Sequence, residues 1–329
     1  MSNQPVIDHA SILYLSEADV AACTLTPQAL RDAVSDAFAA QARGSALAAS
    51  KSVMTLGPGH VFQAKPALMR DAGVTCVKWF GLVPPGQGTG PSISSTIVLS
   101  EVVSGMALAI MGGDGITARR TAAMTAIAAE KLARSDSRTL GLIGAGVQGH
   151  SHLEALCDVL PGIKDVVIAS RTPQSAARLA DAARARGLRA TVTQDPRQAV
   201  DNIDVIITTV PEGASTLEFL DPDWVSPGAF VGAVDLARSW QRDKLSRFDL
   251  TVTDEHEQTR VLTKAGRMTW AGPYNAELSE LCSGKFLGRV NHTQRVLFNF
   301  SGHALADLAA ALLVYQTAQA RGMGTRLAR

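Results

Sequence analysis

Residues 139–149 read Thr-Leu-Gly-Leu-Ile-Gly-Ala-Gly-Val-Gln-Gly, a short apolar run that ends in Gly144-x-Gly146-x-x-Gly149. A helix-like segment at 150–159 follows, and a second apolar run lies at 165–169. Strand, glycine turn and helix in that order make a dinucleotide-binding element. Gly144 lets the chain turn tightly off the strand. Gly146 lets backbone approach a pyrophosphate. Gly149 lets the helix pack close to the strand, so that its N-terminal amides face the phosphates. Ala145, Val147 and Gln148 complete the segment. The spacing alone is a weak signal; its weight comes from the strand before it and the helix and second strand after it. The competing reading is a glycine-rich turn with no ligand.

The flanking patterns set the organisation. At 329 residues the chain is long enough for two domains. Ser11–Leu15 reads as a strand, and Ser16 as an N-cap with Asp19 in capping-box position. Thr26 and Pro27 open a second helix, with Leu30, Val34 and Phe38 at helical spacing and a stop near Gly44. Strands are predicted at 53–56, 60–64, 75–80, 95–99 and 106–111, and a loop at 84–88, which together imply a mostly antiparallel sheet. Thr117 is predicted to cap a long helix carrying Ala122, Ala126, Ala129 and Ala133. Strands at 140–143, 165–169, 204–210, 228–234 and 250–253 then alternate with helices, which implies a doubly wound parallel sheet. A final helix after Ser301–Gly302 falls outside that alternation and is expected to return to the N-terminal part. The predicted class is therefore α/β. Residues 1–125, joined by 302–329, form an α+β substrate domain, and 126–301 the dinucleotide-binding domain.

The second strand refines the cofactor. Many dinucleotide sites place a carboxylate there for the ribose hydroxyls. Here Ser170, Arg171 and Thr172 follow instead. A guanidinium between two hydroxyls suits a ribose 2′-phosphate, so NADP(H) is favoured over NAD(H); a solvent-facing Arg stacked on adenine is the alternative. Thr209, Val210 and Pro211 end the next strand, at the edge where the nicotinamide ribose is expected.

Several classes recede. Net charge is +1 and the basic residues are scattered, so no nucleic-acid footprint is indicated. The longest apolar runs are too short to span a bilayer, and residues 1–10 lack a secretion-signal pattern. Cys23, Cys76, Cys157 and Cys282 form no CxxC pair and read as reduced thiols of a cytoplasmic protein. His150 and His152 point to different sides of a helix, and no metal-ligand cluster accompanies them. His303 reads as structural. No GxSxG elbow marks a hydrolase.

Further motifs occur in one order: Ile-Thr-Ala-Arg-Arg-Thr-Ala-Ala at 116–123, the strand bearing Lys78, the glycine motif, and Asp307-Leu308-Ala309 through Tyr315. Over residues 15–324 the chain resembles the ornithine cyclodeaminase/mu-crystallin family. The resemblance implies a homodimer with a substrate and dimerisation domain, a Rossmann domain, and chemistry at the Cα–N bond of an amino acid. It implies Arg120 as the carboxylate-binding Arg, Lys78 as the substrate-site Lys and Asp235 as the catalytic carboxylate. Lys51 stands where many members carry a further substrate Arg, so a point charge replaces a bidentate fork. Around Asp235 the usual Gly-Ala-Asp-Pro-Gly pattern gives way to Gly-Ala-Val-Asp-Leu-Ala-Arg-Ser-Trp at 232–240.

The chemistry of the residues agrees with that site. An imino acid offers a carboxylate and an iminium carbon, and the protein must hold the first and keep the second protonated. Arg120, read as lying in the first turn after Thr117, combines its guanidinium with helix amides that favour an anion. Lys78 adds a second cation and participates in catalysis, and Lys51 a third. Asp235 favours the iminium and relays a proton. Each has a plainer reading: Arg120 as a surface residue, Lys78 as an outward strand Lys, Asp235 as a cap of the next helix. Lys65 is a further cation able to reach the pocket. The function expected is an NAD(P)-dependent imino-acid reductase or amino-acid dehydrogenase taking a small substrate. The alternatives are an ornithine cyclodeaminase and a non-catalytic ligand-binding protein of the mu-crystallin type.

Overall fold

A computed structural model describes residues 10–84, 92–211 and 218–329, which divide into two compact units. The first comprises 1–120 and 303–329, the second 121–302. The loop predicted at 84–88 lies outside the described residues except for Pro84.

The first unit opens with β1 (Ser11–Leu15) and α1 (Glu17–Ala22). Ser16 caps α1 through its side chain, and Asp19 reaches back to the Ser16 amide at 2.9 Å, closing the predicted capping box. Thr26 caps α2 (Pro27–Ala42), with Pro27 in the first turn. Six strands follow: β2 (Ala46–Ala48), β3 (Ser52–Gly57), β4 (His60–Met69), β5 (Val74–Leu82), β6 (Ile93–Glu101) and β7 (Ala107–Gly112). The strand β2 was not predicted, because three residues carry too little alternation to be read.

The long helix α3 (Asp114–Leu132) starts ahead of its expected cap. Its leading amides are met from elsewhere: Asp114 and Gly115 donate to the Glu17 carboxylate at 2.8 and 3.2 Å. The Asp114 carboxylate in turn accepts from the Ser95 amide and hydroxyl. Thr117 therefore lies inside the helix. Arg120 sits in the second turn, away from the amides expected to assist it, which already serve a carboxylate.

The second unit alternates as predicted. Its elements are β8 (Thr139–Ile143), α4 (Val147–Val159), β9 (Asp165–Ala169), α5 (Pro173–Ala185), β10 (Arg189–Thr193), β11 (Val205–Thr208), β12 (Phe230–Ala233), β13 (Leu250–Thr253), α6 (His256–Lys264), β14 (Ala276–Glu277), α7 (Leu278–Ser283) and β15 (Val296–Asn299). All neighbouring strands pair parallel, in the order β10-β9-β8-β11-β12-β15-β13-β14. The order reverses between β8 and β11, which opens a crevice at their carboxyl ends. β15 is fully buried between β12 and β13. Its continuous Val-Leu-Phe-Asn run lacks the alternation that would have marked it as a strand. The core of this sheet gathers Ile206, Val231, Leu297, Trp240 and Phe248. Ala122 and Ala126 of α3 pack on Ala155 of α4, as the small residues of that helix allow. Buried His152 contacts Thr125 Oγ1 at 3.0 Å and the Gln148 carbonyl at 2.8 Å, and burial lowers its pKa to about 4.

The chain ends in α8 (Ala304–Arg321) and β16 (Thr325–Ala328), both in the first unit. His303 accepts from the Leu305 amide and caps α8. The first sheet runs β16-β1-β7-β6-β5-β4-β2, with β3 also paired to β4. Among the described residues only β1 and β7 run parallel in it. α8 packs against α2 and over β4 and β5. Among the described residues no helix is long and apolar enough to cross a membrane.

Candidate active site

Two groups of residues carry chemistry, one in each unit. The first is the crevice at the glycine motif. Gly144 follows β8 at φ +107°, a left-handed conformation that side chains resist, and a Cβ there would meet the Thr209 carbonyl at 3.0 Å. A Cβ on Gly149 would lie 2.6 Å from the Gly144 carbonyl, so α4 passes close to the turn. Gly146, by contrast, faces open space and caps α4 without a side-chain bond. The leading amides of α4 are thus presented beside a bare backbone, the arrangement that receives a phosphate.

A cavity of about 490 Å³ lies there, lined by Gly144, Ala145, Gly146, Ser170, Arg171, Thr172, Thr209, Val210 and Pro211. Val147, Gln148 and Gly149 begin α4 and are not part of its wall. Ser175, Gln194, Pro196 and Phe219 join the lining without having been predicted. Gln194 and Pro196 follow β10, a strand whose exposed face hides its periodicity. No carboxylate lines the cavity among the described residues, and Arg171 at its rim is exposed. Volume, bare glycine backbone and helix amides fit a nicotinamide dinucleotide.

At the carboxyl edge of the same sheet, Asp235 follows β12 and is buried. Thr208, the last residue of β11, donates to it at 2.8 Å. Burial raises the pKa of Asp235, against the pull of the Ser239 and Thr208 hydroxyls and the Arg238 charge. Leu236 and Ala237 both take positive φ, at 63° and 56°. The turn after Asp235 is held in a conformation that L-residues avoid.

The second group lies in the first unit. Burial alternates along β4 and places Lys65 on the same buried face as Gln63 and Ala67. On β5 it places Lys78 inward with Cys76, while Val77 and Trp79 face out. Lys78 Nζ donates to Asp307 Oδ1 at 2.7 Å and to Thr117 Oγ1 at 3.2 Å. Arg120 Nε pairs with the same Asp307 oxygen at 2.8 Å. Residue exposures are 7% for Lys65, 1% for Lys78, 3% for Arg120 and 0% for Asp307. Lys51 is half-buried and acts on Lys65 as a neighbouring charge.

Among the described residues, Lys78 and Arg120 thus pair with one buried carboxylate, and Lys65 acts on it as a third neighbouring charge. Burial pushes the Asp307 carboxyl up, but Arg120, Lys78 and Lys65 together hold it below its ordinary value. Burial takes Lys78 down to about 8, with Arg120 adding to the drop and Asp307 opposing it. Lys65 falls well below the usual lysine range, first through burial and then through Lys51, Lys78 and Arg120. Uncompensated buried charge of this kind costs several kcal/mol, and an anion in the site removes the cost.

The parts played by Asp307 and Thr117 were not anticipated. A signal for Asp307 was present: it falls three residues after Ala304 and four before Ala311, on the most apolar stripe of α8. A carboxylate there requires a cation from another element.

Residues 12–322 match the model of the ornithine cyclodeaminase/mu-crystallin family. The ketimine reductase mu-crystallin of Mus musculus is 34% identical over 232 residues, 69% of this chain and 70% of its own length. Among solved structures, a Thermococcus litoralis Δ1-pyrroline-2-carboxylate reductase in complex with NADH and L-proline superposes with TM-score 0.86 at 26% identity, covering 96% of this chain and 100% of that one. An archaeal alanine dehydrogenase dimer with bound NAD gives TM-score 0.85 at 26% identity, with 96% and 99% covered.

Proposed function

The chain belongs to the ornithine cyclodeaminase/mu-crystallin family, and we propose that it is an NAD(P)-dependent oxidoreductase acting on the C–N bond of a small amino or imino acid. The direction is imino-acid reduction or the reverse oxidation. The carrying observation is the positive surplus around Asp307, where Lys65, Lys78 and Arg120 are buried with, among the described residues, a single carboxylate between them. A substrate carboxylate supplies the missing negative charge. In this reading Arg120 and Lys78 bind that carboxylate and Lys51 adds a further point charge. Asp307 and Thr117 orient Lys78.

Nicotinamide bound at the glycine motif supplies the hydride for the imine carbon, or accepts it in reverse. Asp235 keeps the substrate nitrogen protonated and moves its proton. A carboxyl whose pKa is raised by burial holds a proton to higher pH than an exposed one, which suits an acid–base role. A buried, hydroxyl-held side chain also has a fixed direction. The exposed apolar side chains Met54, Val77 and Trp79, on one face of β3 and β5, support a homodimer, with a second copy covering that face.

The test is NADPH and NADH oxidation by the purified protein with a panel of cyclic and acyclic imino acids. Turnover of at least one supports the reading; no oxidation with any of them overturns it. NADP(H) is preferred because Arg171, Ser170 and Thr172 stand where a ribose carboxylate is otherwise usual. The variant Arg171→Ser is expected to raise KM for NADPH by about tenfold or more and to leave KM for NADH within about twofold. Equal effects on both cofactors would remove Arg171 from the phosphate site.

A pH dependence follows from Lys78. Its ammonium predominates below about pH 8 and is lost as pH rises through that value. Affinity for a carboxylate should fall in the same direction. The profile of kcat/KM for the acid substrate should therefore turn down above about pH 8, since that ratio reports the free enzyme. A profile flat from about pH 7 to 10 would exclude Lys78 as a carboxylate ligand.

A further inference from the structure

The register of β4 and β5 sets Lys65 directly opposite Lys78 on one buried sheet face. Like charges in opposed cross-strand positions repel. Asp307 acts on Lys65 as a neighbouring charge and not as a direct partner, because its Oδ1 takes both Lys78 and Arg120. Among the described residues, no acceptor hydrogen-bonds Lys65 Nζ and no carboxylate pairs with it. The Phe80 ring lies against it, 5.2 Å from Nζ to the centroid, and is shared by Lys78 at 5.9 Å. A position whose task was only to fill the core between Gln63 and Ala67 would take an apolar side chain. An ammonium kept there without a partner marks a place where negative charge arrives.

The charges can be counted. Lys65, Lys78 and Arg120 contribute three positive charges when protonated, and Asp307 one negative, which leaves two. The α-carboxylate of an amino acid answers one of them. The second sits at Lys65, with Lys51 beside it. We infer that the substrate is a dicarboxylic amino or imino acid whose second carboxylate is received by Lys65. This rests on the redox reading above and narrows its substrate class. A ring such as that of proline carries one carboxylate and leaves the Lys65 charge unanswered.

The test has a turnover arm and a binding arm, both on the full chain. Imines formed in ammonia buffer from oxaloacetate and 2-oxoglutarate are compared with those from pyruvate and 2-oxobutyrate, by NAD(P)H oxidation. The dicarboxylic imines should show kcat/KM higher by about tenfold or more. In Lys65→Met, a substitution of similar volume that removes the charge, the ratio of dicarboxylic to monocarboxylic kcat/KM should collapse toward one. Calorimetric titration with succinate and with butyrate reads the same site without turnover. Succinate should bind about tenfold tighter or more, and Lys65→Met should abolish the difference. Should Lys65→Met fail to fold, the succinate-to-butyrate preference of the unaltered protein decides. Equal binding of the two acids, a preference for monocarboxylic imines, or an equal loss on both substrate classes in Lys65→Met overturns the inference. Succinate preference without turnover of any imine would instead sink the redox reading and leave the two-carboxylate site standing.

Discussion

Replacing Arg120 by alanine is expected to lower kcat/KM for the amino or imino acid by about 10²- to 10⁴-fold and to leave cofactor Kd within about threefold. Charge-assisted hydrogen bonds contribute roughly 1.5–3 kcal/mol each, and a guanidinium makes two to a carboxylate. Each 1.4 kcal/mol is about a factor of ten in rate or affinity. Arg120→Lys should recover only part of the loss, because an ammonium keeps the charge and gives up the planar fork. Steady-state kinetics with saturating cofactor measures the first quantity, and a fluorescence titration with NADPH the second. The split between them is the informative part. Arg120 belongs to the Lys78–Asp307 group, whereas the glycine-motif cavity has its own lining. A variant with unchanged kcat/KM would take Arg120 out of the substrate site. Equal losses in both readouts would mean that the change had damaged the fold.

Asp307→Asn should be the most destabilising single polar substitution in the first unit. The carboxylate is fully buried and is the shared partner of Lys78 and Arg120. Removing one member of a buried ion group leaves the others uncompensated, at a cost of about 3–5 kcal/mol. For a protein of this size that is a fall in Tm of roughly 10 °C. The pH dependence has a defined sign. The folded-state pKa of Asp307 is lowered, so its stabilising contribution is present above the ordinary carboxylate pKa and is lost as pH falls through the lowered value. Calorimetric scans of both proteins should show a gap in Tm at neutral pH that narrows in acid. Equal Tm at neutral pH would mean that the three cations do not depend on this carboxylate. Lys78 should lose its proton more readily in Asp307→Asn, so the downturn of kcat/KM should move to lower pH.

Much of the molecule was legible in short stretches. The capping box of Ser16 and Asp19, the Thr26–Pro27 helix start and the strand–turn–helix of the glycine motif involve residues only a few positions apart. Their hydrogen bonds and steric limits act within that reach, so local sequence carries them. The inward placement of Lys78 between outward Val77 and Trp79 also follows from a period of two. β15 escaped because a short, fully buried strand shows no period to read.

The amino-acid order alone determined the bare backbone turn ahead of α4, since Gly144, Gly146 and Gly149 set backbone shape whatever surrounds them. It also determined which side chains carry positive charge. Tertiary structure decided how those charges are balanced. Glu17 meets the amides of α3 from 97 positions away, which moved the start of that helix and took Arg120 out of its first turn. Asp307 reaches Lys78 across 229 positions, and the pairing of β4 with β5 sets Lys65 against Lys78. Charge balance in a buried site is a sum over everything that packs around it, and no window of neighbouring residues contains that sum.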